Sequence, residues 1–132
     1  MNVKAGDTAS VSKEVTDQVI RAFAEVSGDH NPLHLNDEFA ATTRFGRRIA
    51  HGMLGASLIS SLLGNTLPGP GSIYLSQSLK FRGPAFIGDR LTARVTVSSI
   101  REGRPILILE TVCENQNGEV LIEGEAVVML EG

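Results

Sequence analysis

The run MLGASLISSLLG, residues 53–64, most constrains how this chain folds. Wound as a helix it is apolar on nearly all sides, with glycine, alanine and serine distributed around it. A helix of that texture belongs inside a fold rather than on its surface. It falls far short of the roughly 20 apolar residues a membrane span needs, so no membrane partner is expected. The second half of the chain supplies what could wrap it. Strands are expected at about 8–15, 72–81, 90–100, 105–114 and 119–130. Leu91, Ala93, Val95 and Val97 alternate with Thr92, Arg94, Thr96 and Ser98, the period-two pattern of a sheet with one wet face. Asn117-Gly118 reads as a type I′ hairpin turn. One buried helix and an antiparallel sheet of about five strands make an α+β domain, the sheet curving around the helix. Such a sheet leaves an open edge, and a sheet-to-sheet dimer is the expected way to close it.

At 132 residues the chain forms one domain, 1–132, large enough to bury a core without metal or disulfide staples. The net charge of −3 argues against a nucleic-acid partner, which usually needs a basic face. Cys113 is the only cysteine, which excludes an intramolecular disulfide and a CxxC metal site. It reads as a small apolar filler in a strand. The segment MNVKAGDTAS lacks the apolar core of a signal peptide, and a cytoplasmic location is expected.

The first half reads as helical and loop-rich. Thr16 is placed to cap a helix whose stripe is Val19, Ile20, Phe23, Ala24 and Val26, and Gly28 to stop it. Asn36 is placed to cap a short helix over DEFAA. Between them runs SGDHNPLH, residues 27–34. Its Gly, Asp, Asn and Pro are all turn formers, and Asp29 fits an Asx-turn with His34 as a loop histidine. The same residues suit chemistry. Pro32 stiffens the backbone between Asp29 and His34, and Leu33 and Leu35 anchor the segment. An imidazole and a carboxylate in one cleft form an acid–base pair near neutral pH. On the residues alone both readings stand.

Gly52 lies in the first turn of the apolar helix, where backbone N–H groups lack intrahelical partners. A glycine there lets a carbonyl oxygen approach and stabilises negative charge on it; alternatively it only eases helix–sheet packing. His51 is read as structural, an N-cap or packing residue. Arg44, Arg47, Arg48, Lys80 and Arg82 form a basic group suited either to solvent or to phosphates at a cleft mouth.

These segments carry a resemblance. FAEVSGDHNPLHLNDEFAATTRFGRRIAHGMLGASLISSLLG resembles the hydratase-2 segment of the MaoC-like family, and is especially similar to the (R)-specific enoyl-CoA hydratases of polyhydroxyalkanoate metabolism. The family pattern, an acidic residue, one variable residue and Asn-Pro-Leu-His, is met by Asp29 through His34. The likeness continues through GSIYLSQSLKFRGPAFIGDRLTARV and GEAVV, so it covers nearly the whole chain. It implies a hot-dog fold, a long central helix wrapped by a curved antiparallel sheet, in a homodimer. It implies Asp29 and His34 as the catalytic pair and Gly52 N–H as the group that binds the thioester oxygen. Asn31 is implied to fix loop geometry, and Ser60 to be a central-helix serine beside the pair. Leu63 and Val128 are candidates for the acyl pocket. The implied substrate is a short-chain trans-2-enoyl-CoA, with no metal and no cofactor apart from the CoA carried by the substrate. The neighbouring hot-dog chemistry, a thioesterase, typically uses a carboxylate on or near the central helix, and residues 51–64 contain none. A non-catalytic acyl-CoA-binding subunit would not need the intact pair.

Overall fold

The structure, a computed structural model, describes residues 2–131. Strand β1 (Thr8–Glu14) leads into α1 (Asp17–Ser27) and two short helices, α2 (Pro32–Leu35) and α3 (Asp37–Ala41). The long helix α4 (Gly52–Asn65) follows, then β2 (Ser72–Gln77), β3 (Lys80–Phe81), β4 (Arg90–Ile100), β5 (Ile106–Glu114) and β6 (Val120–Leu130). The strands form one antiparallel sheet in the order β1-β4-β5-β6-β2, and β3 also pairs with β6. This is the α+β, hot-dog arrangement expected above.

The alternation in β4 decides which face meets the helix. Leu91, Ala93, Val95 and Val97 point inward and are buried, while the residues between them are partly exposed. They join Leu107, Leu109 and Cys113 of β5, Ala126 and Val128 of β6, and Leu54, Leu58, Ile59, Leu62 and Leu63 of α4 in one core. Each fully buried aliphatic side chain contributes about 1.5–3 kcal/mol. The sheet covers only one side of α4. Gly52, Met53, Ser57, Ser60 and Gly64 remain open on the other, so within one chain the helix is not buried all round.

Local capping follows the sequence. Thr16 accepts a hydrogen bond from the Val19 N–H, and Gly28 ends α1 in the left-handed conformation at φ 78°. Asn36 accepts from the Phe39 N–H at 2.9 Å. Val26 departs from the expected stripe: it is 83% exposed, because the last turn of α1 leads out of the core toward an exposed loop.

Two strand expectations need correction. The single strand at 72–81 is two: β2 and β3 both pair antiparallel with β6, and the ladder is interrupted at Ser78 and Leu79, opposite Gly124. A side chain at Gly124 would collide with the Ser78 carbonyl oxygen, so this close approach exists only where β6 carries glycine. Gln77 Nε2 braces it by donating to the Ser78 oxygen and to Thr111 Oγ1. The hairpin at Asn117-Gly118 is also not type I′, which needs positive φ at both central residues. Among the described residues no non-glycine has positive φ. The Gly118 N–H bonds Asn115 O, Gly118 takes φ 77°, and Asn115 N–H bonds Glu119 O. This is a type I turn closed by a glycine bulge.

Candidate active site

Residues 27–34 satisfy both readings of the loop at once. The Asp29 carboxylate accepts from the Asn31 N–H at 3.2 Å, the Asx-turn expected of a turn former, and the Asp29 N–H donates to Ser27 Oγ at 3.1 Å. Asn31 then caps α2, its side-chain oxygen accepting from the Leu33 N–H at 3.0 Å, with Pro32 at the first helical position. That position suits proline, whose missing N–H would have no intrahelical partner. The segment read above as a loop is therefore a loop followed by one helical turn. An Asx cap followed directly by proline is the signal that marks it. The turn carries His34 inward, 8% exposed, while Asp29 stays at the surface.

His34 Nδ1 lies 2.8 Å from the carbonyl oxygen of Ile49. A carbonyl only accepts, so Nδ1 carries the hydrogen, and in the neutral ring Nε2 holds a free lone pair. Burial lowers the His34 pKa below the ordinary 6.5, and the neighbouring His51 ring acts in the same direction. The bond to Ile49 and the charge of Asp29 oppose the shift. The net effect keeps His34 a neutral base. Arg48, 6% exposed, holds this turn from behind: Nε donates to the His34 carbonyl at 2.7 Å, and Nη2 to Asp17 Oδ1 at 2.6 Å.

His51 completes the cluster. It occupies the N-cap position of α4 but makes no capping bond. Its Nε2 donates instead to the Asp29 carbonyl at 2.9 Å, and its ring stacks on His34 with centroids 3.9 Å apart. One ligand-type atom from each of Asp29, His34 and His51 falls within 4.8 Å of the others, the kind of set that can hold a metal ion. With 27° between the imidazole planes, an ion in the plane of one ring lies out of the plane of the other, a poor geometry for shared ligation.

Gly52 follows as the first residue of α4, with its N–H unclaimed within the helix. The ring of Phe81 covers it so closely that an added Cβ would come within 2.8 Å of Phe81 Cε1. Gly52 and His51 line a cavity of about 750 Å³ whose other walls include Arg44, Phe81, Arg82 and Ile122. A second cavity of about 550 Å³ is lined by Phe23, Met53, Ser57, Ser60, Tyr74 and Leu75. Met53 borders both. Asp29 and His34 line neither. Ser60 lies two turns along α4 from Gly52, and Leu63 and Val128 are fully buried core residues that line neither cavity. The basic group divides. Arg48 is structural, Arg82 pairs with Glu123, and Arg44 and Arg47 lie over the rings of Phe45 and Phe86.

The family model described as MaoC like domain matches residues 3–117. The chain belongs to the MaoC-like family. This MaoC-like chain is 52% identical over 129 residues to an (R)-specific enoyl-CoA hydratase of Aeromonas caviae, covering 98% of this chain and 96% of the relative. It is 44% identical to a 3-hydroxybutyryl-CoA dehydratase of Methylorubrum extorquens, covering 96% of this chain and 80% of that one. The solved structure of the A. caviae (R)-hydratase involved in PHA biosynthesis superposes with a TM-score of 0.95 over 98% of both chains. The relatives named here are hydro-lyases of acyl thioesters, and the MaoC-like fold places Asp29, His34, His51 and Gly52 in one group.

Proposed function

We propose that this MaoC-like protein is an (R)-specific enoyl-CoA hydratase, adding water reversibly to a trans-2-enoyl-CoA to give an (R)-3-hydroxyacyl-CoA. One observation carries the proposal: a carboxylate and a neutral, buried imidazole meet beside the glycine N-terminus of a long helix, in a chain 52% identical to a hydratase of that specificity. The thioester oxygen binds the Gly52 N–H, where the helix dipole stabilises the charge that builds as the double bond is attacked. Asp29 and His34 hold one water. Its oxygen bonds to C3, its proton passes to the pair, and the pair returns a proton to C2. The pair acts as a unit. No step uses a metal or a redox cofactor; CoA is the carrier.

A homodimer belongs to the proposal. The exposed side chains of Met53, Tyr74 and Leu75, with Ser57 and Ser60, form an open face along α4 and the edge strand β2. A second copy seated there would roof the smaller cavity. Short-chain preference and a cytoplasmic setting complete the proposal. Among the described residues no helix is long and apolar enough to cross a membrane.

Crotonyl-CoA tests the reaction. The expected result is loss of the conjugated thioester's absorbance with no free thiol. Release of thiol would instead indicate a thioesterase. Absence of both signals across acyl lengths would sink the hydratase reading.

A further inference from the structure

We propose that His51 is a positioning residue of the hydration reaction, tying the main chain of Asp29 to the ring of His34. The role rests on the hydratase reading and extends it. His51 is 3% exposed and packs against two rings, Phe23 at 5.0 Å and 52° and His34 stacked at 3.9 Å. An apolar ring would serve packing as well. It would not reach 22 residues back along the chain to hydrogen-bond the Asp29 carbonyl. A helix cap would turn its side chain toward the first turn of α4, and His51 makes no such bond.

The bonds around the pair show what His51 adds. Asp29 is held at its N–H by Ser27, at one carboxylate oxygen by Asn31, and at its carbonyl by His51. The second carboxylate oxygen is left for chemistry. His34 is held at Nδ1 by Ile49 and at its carbonyl by Arg48, which leaves Nε2. Among the described residues, His51 both hydrogen-bonds one member of the pair and stacks on the other. It does so at a cost, because its Nδ1 is buried without a partner. A buried polar atom left unpaired is uncommon in folded proteins and calls for an explanation. Here the ring is oriented by the bond from its other nitrogen, which sets the Nε2–H tautomer.

Three variants and one spectrum test this. His51→Phe keeps the stack and removes the donor, and kcat is expected to fall by about 10–100-fold with KM within about 2-fold, since small misplacements of reacting groups are costly. His51→Gln restores an N–H donor and is expected to recover most of the lost kcat. A folded Phe variant with unchanged kcat, or one that changes KM alone, would overturn the role. A Gln variant as impaired as the Phe variant would do the same. His51→Ala, which removes both donor and ring, is expected to be at least as impaired as His51→Phe; an Ala variant more active than the Phe variant counts against the role. The wild-type protein supplies a measurement that needs no variant to fold: long-range ¹H–¹⁵N correlation should show His51 protonated at Nε2 and His34 at Nδ1. His51 protonated at Nδ1 and bare at Nε2 overturns the bond to Asp29. If the wild type hydrates no enoyl thioester, the reaction itself fails and this role with it. Impaired Gln and Phe variants of an active wild type remove His51 alone.

Discussion

Asp29 is open to solvent and His34 is not. His34 must be neutral to take a proton. Burial lowers its pKa below 6.5, so it stays a base further into acid than an exposed imidazole. The acid limb of kcat/KM, as far as His34 sets it, is therefore expected below 6.5, and a pH–rate profile checks the direction. Asp29→Asn and His34→Ala should each lose roughly 10²–10⁴-fold in kcat while remaining folded, the usual scale for acid–base groups. A folded Asp29→Asn variant with near-normal turnover would remove Asp29 from the chemistry. Gly52→Ala is the third residue-level case. Its methyl would come within 2.8 Å of the Phe81 ring, which is itself 54% exposed and free to yield. Thermal stability should change little, whereas crowding of the N–H should cost about 10²–10³-fold in kcat, the scale for losing one oxyanion donor.

At the level of elements, Arg48 joins the starts of α1 and α3 to the end of α2, since its Nη1 also lies 3.8 Å from Asp37 Oδ1. Its carboxylate partners are exposed, so removing it leaves the His34 carbonyl as the main buried loss. Arg48→Met should destabilise by about 1–3 kcal/mol, measured by urea unfolding, and lower kcat by loosening His34. Gly124→Ala should drive the Ser78 carbonyl away from β6 and destabilise by at least the roughly 1–3 kcal/mol typical of overpacking. The elements that sequence patterns located are those whose causes are local. The caps at Thr16 and Asn36 bond three residues onward, and the inward face of β4 needs only its own alternation. Asp29 and His34 stand in one short motif and Gly52 at the start of the apolar helix, so the family resemblance could point to all three, although the residues alone left both readings open. The roles of His51 and Arg48 were not legible, because their partners lie 22, 14 and 31 residues away. The break between β2 and β3 was hidden for the same reason. Nothing near Ser78 reveals it, because its cause is the glycine at 124.

At the scale of the whole molecule, the open side of α4 predicts assembly. The proposed homodimer should sediment at twice the chain mass, and Leu75→Arg, at an exposed position on edge strand β2, should shift it toward monomer without unfolding it. A wild-type protein that runs as a monomer at all concentrations would remove the dimer from the proposal. Cys113 bears on how the reaction can be assayed. Its side chain is buried, and its pKa is pushed up to about 11 by burial, with Glu114 adding to the shift. At pH 8 roughly one such thiol in a thousand is thiolate, the reactive form. Disulfide dyes and mild oxidants should pass it by. Liberated CoA can therefore be titrated in the same cuvette as the enzyme without a background signal from the protein itself.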